Sequence, residues 1–243
     1  MKPATDAPRA HPPGLSDWGA ADLEKKGTAP AVRTGAAILL VAVAAMGASA
    51  LLVGGPAWGI GAGLMCALAA LVWVGSQGRL ALRSVGARPL PLGEAPRLEN
   101  LTRGLAADLG ARAPRLLTFN GGPNALVCRA GGPALGVSRT LIDELSRTEL
   151  EAVVAHCLVR LRRDRLLDAT LAAALGPLAP TTPPEWVLAD DLRAAALVRF
   201  PPALAEAIAK AVPRTGRFRL FWFVPAEPGG PSPEERRHAL LDL

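Results

Sequence analysis

His156, Arg160 and Asp164 stand at i, i+4 and i+8, a spacing that puts all three on one face of a helix. A histidine there can bind a metal or move a proton. An arginine stays protonated and offers no lone pair. The chemistry open to this face is that of an imidazole beside a fixed cation. Cys157 follows His156 directly and points about 100° away around a helix. A nucleophilic thiol needs a base aimed at it in an accessible, electropositive setting. Helix geometry turns His156 aside, so Cys157 reads as a buried thiol that behaves as a small apolar residue. Cys128 and His238 are distant in sequence and have no motif spacing to His156.

The helix that must carry this face is signalled by Thr148-Glu149-Leu150-Glu151. That order has capping-box spacing, with Thr148 expected to accept from the Glu151 amide. The helix is expected from residue 150 to about 167, with Leu150, Val153, Val154, Leu158 and Leu161 as its apolar stripe. Ahead of it, residues 94–109 read as an amphipathic helix. Residues 115–119, 125–128 and 134–138 read as short strands, the last two as a hairpin around Gly131-Gly132. Residues 139–145 make a short helix. Further helices are expected over 185–198, 203–211 and, after the capping box Ser232-Pro233-Glu234-Glu235, to about 241. Residues 218–224 are either a strand or a buried loop. Residues 166–184 are too short and Pro-rich to cross a bilayer, so the domain is expected to be tied to a membrane by its N-terminal part alone.

That N-terminal part is the strongest signal in the chain. Residues 35–53 and 57–75 are two runs of 19 residues without a charge. As helices each is about 28 Å long, close to a hydrocarbon core of roughly 30 Å. Gly54-Gly55-Pro56 between them leaves room only for a tight turn. Trp58 and Trp73 lie near the ends of the second run, where indoles favour the interface. Lys25, Lys26 and Arg33 precede the first run, Arg79, Arg83 and Arg88 follow the second, and the turn is uncharged. The positive-inside rule then places both chain ends in the cytoplasm, in a multi-pass protein of the plasma membrane. Residues 1–34 read as a disordered cytoplasmic tail, 35–75 as the transmembrane hairpin and 76–243 as a cytoplasmic domain.

Composition agrees with this division. Half of the 243 residues are hydrophobic although a fifth are charged, and the mean hydropathy is +0.27. The net charge of +6 is spread along the chain, without zinc-finger spacing or aromatics enough to stack bases, so nucleic acid is excluded as a partner. The three cysteines form no C-x-x-C pair and give no disulfide framework.

From about residue 76 onward the chain resembles the HtpX-like membrane metalloendopeptidases of the gluzincin group. The stretches that carry the resemblance are Leu82-Arg83-Ser84-Val85-Gly86-Ala87-Arg88-Pro89, Pro123-Asn124-Ala125, Val137-Ser138-Arg139-Thr140-Leu141 and Glu149-Leu150-Glu151-Ala152-Val153-Val154-Ala155-His156. Ala189-Asp190, Arg199-Phe200-Pro201-Pro202 and Pro233-Glu234-Glu235-Arg236 follow in the same order. The resemblance implies an α+β fold: a two-helix transmembrane hairpin, then a mainly helical peptidase domain with a small β-sheet. It also implies zinc held by H-E-x-x-H and by a third ligand, usually Glu, just before an Ala-Asp pair, with the motif glutamate as general base.

The corresponding residues here are His156-Cys157-Leu158-Val159-Arg160. Set against the family, the base position is Cys157, the second ligand position is Arg160, and counting back from Ala189-Asp190 makes Trp186 the third. Three of four roles are lost, so no zinc or other cofactor is expected. An Arg160 to Asp190 ion pair is expected to replace the metal as the link between two helices. The expectation is a non-cleaving pseudopeptidase whose partners are the bilayer and a polypeptide client or membrane protein. The client would add to a strand such as Ala125, Leu126, Val127 and Cys128. The alternative is an active zinc metalloendopeptidase with a non-standard site acting on membrane or misfolded proteins.

Overall fold

The computed structural model describes residues 30–162, 165–181 and 184–243. Asp164 and most of the N-terminal tail lie outside them. The first two helices are α1 (Pro30–Gly54) and α2 (Pro56–Ser84), joined only by Gly55, whose φ of 85° suits glycine. Each is long and apolar enough to cross a membrane. Leu40, Leu52, Val53, Ile60 and Leu71 turn outward along the pair. α2 does not stop at the end of its apolar run. Its last turns carry the chain into the domain, where Gln77, Gly78, Ala81 and Leu82 are buried.

A four-stranded sheet follows, in the order β1 (Arg88–Pro89), β2 (Arg115–Phe119), β4 (Pro133–Ser138), β3 (Ala125–Arg129). β3 and β4 form the expected antiparallel hairpin, Ala125 opposite Val137. β2 runs parallel to β4, reached from α3 (Pro96–Asp108) on the other side of the chain order. β1 closes one end of the sheet with two residues, its Pro89 ending the ladder as proline does at an edge. After β4 come α4 (Arg139–Glu144) and α5 (Arg147–Arg162), then α6 (Arg165–Leu175), α7 (Pro184–Val198), α8 (Pro201–Lys210) and α9 (Pro233–Leu241).

α5 is the central helix. Leu150, Ala152, Val153, Val154, Ala155 and Cys157 have no exposed surface, so it is apolar nearly all round, the pattern of a helix inside a core. It packs against α3, α7, α8 and β3. It starts at Arg147, three residues before the expected 150, and its cap lies two residues before the expected Thr148. The capping box is Ser146 with Glu149: the Glu149 amide donates to Ser146 Oγ at 3.3 Å, and the Ser146 amide donates to Glu149 Oε2 at 2.7 Å. Lys210 of α8 binds the same carboxylate at 2.7 Å. That partner, available only after folding, favours Glu149 over Glu151. The second capping box, Ser232 with Glu235, stands where the sequence put it.

The domain meets the hairpin through a second element as well. α6 packs on both α1 and α2, with Leu171 and Leu175 against Gly35. Trp73 Nε1 donates to the Ala174 carbonyl at 3.2 Å. Arg217 stacks on Trp73 at 4.7 Å and donates to the Ala173 carbonyl and to Gln77 Oε1 at 2.6 and 2.7 Å. A short apolar helix with small residues can lie flat against the hairpin, so the domain meets it through packing as well as through the continuation of α2.

Candidate functional site

α5 presents His156 and Arg160 one turn apart, toward α7, the start of α9 and the loop before it. They line a small cavity of about 40 Å³ together with Asp168, Trp186, Asp190 and Phe223. The volume admits a few water molecules. His156 is 1% exposed, its ring edge-on to Phe223 at 5.1 Å. Its Nδ1 is 3.0 Å from Asp191 Oδ1, within ion-pair distance but not aligned as a hydrogen bond. Burial holds the imidazole below its ordinary pKa and outweighs the opposing pull of Asp191. The ring is therefore neutral at pH 7.

Asp191 is held chiefly by a residue of α9. Arg236 Nε and Nη2 donate to its two oxygens at 2.7 and 2.8 Å, and Nη1 donates to the Phe223 carbonyl at 3.2 Å. Both side chains are 1% exposed. Burial alone raises the Asp191 pKa, but the Arg236 charge and its hydrogen bonds overcome this and bring it to about 2. This bidentate pair was not assigned from sequence. Its signal was an arginine at i, i+4 with Leu240 on the terminal helix, the two positions α9 buries.

Arg160 is half-buried. It donates through Nη1 to the Trp222 carbonyl at 2.8 Å and through Nη2 to the Leu220 carbonyl. Burial lowers its pKa from the usual arginine value, and the Asp190 charge is the main opposing influence. Cys157 has no exposed surface and does not face the cavity; burial pushes its thiol up to about 12. It is neither an anion nor accessible at neutral pH. The other buried thiol, Cys128, is likewise pushed up to about 12 and donates weakly to the Gly78 carbonyl.

A protease HtpX homolog from Halobacterium salinarum is 44% identical over 79 residues, 32% of this chain and 27% of that relative. Over this stretch the chain is similar to HtpX homologs. Further HtpX homologs agree: one from Aquifex aeolicus is 32% identical over 100 residues, 40% of this chain and 33% of its own length. One from Thermococcus sibiricus is 35% identical over 92 residues, 37% and 32% respectively. The chain thus spans about a third of the length of the curated relatives it matches. No family model matches it, and no solved structure does so at a significant level.

The cavity collects the positions that the resemblance assigns to metal binding: His156, Arg160 and Trp186. Val187 lines it too, while Glu185, the residue before Trp186, is exposed and does not line it. Among the described residues no group of three or more His, Cys, Asp or Glu is placed to hold a metal ion. One turn after His156 stands a guanidinium that donates where a ligand must accept. The residues present do not fit a catalytic zinc, which needs about three protein ligands. Asp190 shares the cavity with Arg160, while its neighbour Asp191 takes Arg236. Ala125, Leu126, Val127 and Cys128 are all buried within β3.

Proposed function

We propose that this chain is a membrane-anchored pseudopeptidase, an HtpX-like protein that engages polypeptide clients or membrane-protein partners without cutting them. The observation that carries the reading is the Arg160 guanidinium, committed to two backbone carbonyls one helical turn from His156. A cation there repels a divalent ion across a few ångströms of partly desolvated space. The inert Cys157 thiol leaves no general base in the position after His156. The hairpin of α1 and α2 crosses the plasma membrane with both chain ends in the cytoplasm, as the flanking arginines direct.

Within this reading Arg160 and Asp190 supply the link between α5 and α7 that a metal gives an active relative. A double-mutant cycle with Arg160→Gln and Asp190→Asn should show coupling of about 1 kcal/mol; strictly additive effects would remove the link. The activity itself is tested with the purified full chain in detergent and a reduced, carboxymethylated fluorescent protein as substrate. No cleavage is expected with or without added zinc. Cleavage abolished by a chelator would establish the alternative, a working metalloendopeptidase.

A further inference from the structure

β3 ends the sheet, and an end strand offers a row of backbone donors and acceptors to any extended chain. Its inner side is used by β4. Its outer side is filled by the protein itself. The Phe223 amide donates to the Ala125 carbonyl at 2.8 Å, and Trp222 bridges Leu126 in antiparallel sense. Farther along, Gly78 of α2 crosses so closely that an added Cβ would lie 2.1 Å from the Arg129 carbonyl oxygen. Asn124, fully buried, grips the end of the covering segment. Its Nδ2 donates to the Val224 carbonyl at 3.1 Å, and its Oδ1 accepts from the Val224 amide at 3.3 Å. Phe221, Phe223 and Val224 have no exposed surface, and Trp222 meets Phe119 edge-on at 5.6 Å.

The carbonyls of this segment face arginines: Leu220 and Trp222 accept from Arg160, Phe223 from Arg236. A peptidase polarises a substrate carbonyl with its metal; here a guanidinium, fixed in charge, meets carbonyls of the same chain. We propose that residues 220–224 are a built-in pseudosubstrate that fills the strand-addition edge of β3, clamped by Arg160 from the position of the lost second histidine. The proposal rests on the pseudopeptidase reading and deepens it. The ligand of Ala125, Leu126, Val127 and Cys128 is the chain's own backbone, and an external client must be read by another surface.

Hydrogen exchange on the full chain in detergent, resolved to the 220–224 amides, tests this. In the wild type the Phe223 amide should exchange as slowly as those of β4. Arg160→Gln should speed exchange in 220–224 at least tenfold while β2 and β4 amides keep their rates. A labelled peptide with the sequence of residues 217–224 should then bind the variant and not the wild type. Unchanged exchange in the variant, or equal peptide binding by both proteins, would overturn the proposal. If Arg160→Gln does not fold, the wild type still decides, since fast exchange at Phe223 beside a slow β4 contradicts a filled edge. These readouts are independent of zinc content and cleavage, which judge the pseudopeptidase reading separately.

Discussion

Arg236 and Asp191 form a buried ion pair whose worth lies in not being broken. Replacing both partners by apolar groups can be nearly neutral, whereas removing one strands a charge. Arg236→Met should therefore cost about 3–5 kcal/mol, read as a lowered denaturant midpoint of the full chain in detergent; a variant of wild-type stability would show that the pair is not formed. Two acid-side windows follow from the same cluster. Asp191 releases its proton at about 2 when folded against 3.8 otherwise, so the unfolded chain binds the extra proton between these values. Its contribution is complete above the upper value and lost as pH falls toward the lower one. His156 is a base held below its ordinary 6.5. The unfolded chain protonates first, and stability declines as pH drops below that value. Denaturation midpoints measured from pH 7 to 5 should fall in the wild type, and His156→Gln should flatten the slope. A wild type with no slope would mean that the imidazole is not buried neutral.

The individual elements were largely legible because their signals are local. Strand β2 has the expected bounds, and α9 carries the expected cap, each fixed by side chains a few residues apart. The misplaced cap of α5 shows the limit: Glu149 and Glu151 are equivalent in the sequence, and Lys210, 61 residues away, separates them. Gly78 makes the same point for glycine. It sits in an apolar helix like several others, and only the crossing with β3 makes its missing Cβ necessary. Gly78→Ala should cost about 3 kcal/mol or more, because the atom in the way is backbone and cannot turn aside. Gly104, in the middle of α3 with nothing within 4 Å of an added Cβ, should stabilise by about 0.5–1 kcal/mol when changed to Ala. Thermal midpoints of the two variants moving in the same direction would contradict this account of the α2–β3 crossing.

At the scale of the whole molecule, the α+β class and the apolar hairpin were readable from composition and run length. The docking of α6 on the hairpin and the cover over β3 were not, since both are made of contacts between distant segments. The candidate site was legible as a set of residue types, His156, Arg160, Trp186 and Asp190, but not as a geometry. Nothing in the sequence says that Arg160 reaches the carbonyls of Leu220 and Trp222, or that Asp191 rather than Asp190 sits beside His156. The account as a whole turns on the cation beside that imidazole. Elemental analysis of the full chain, purified in detergent without chelator and dialysed against excess zinc, addresses it directly. The prediction is far less than one zinc per chain, unchanged by His156→Ala. One tightly held zinc per chain, lost in that variant, would contradict it.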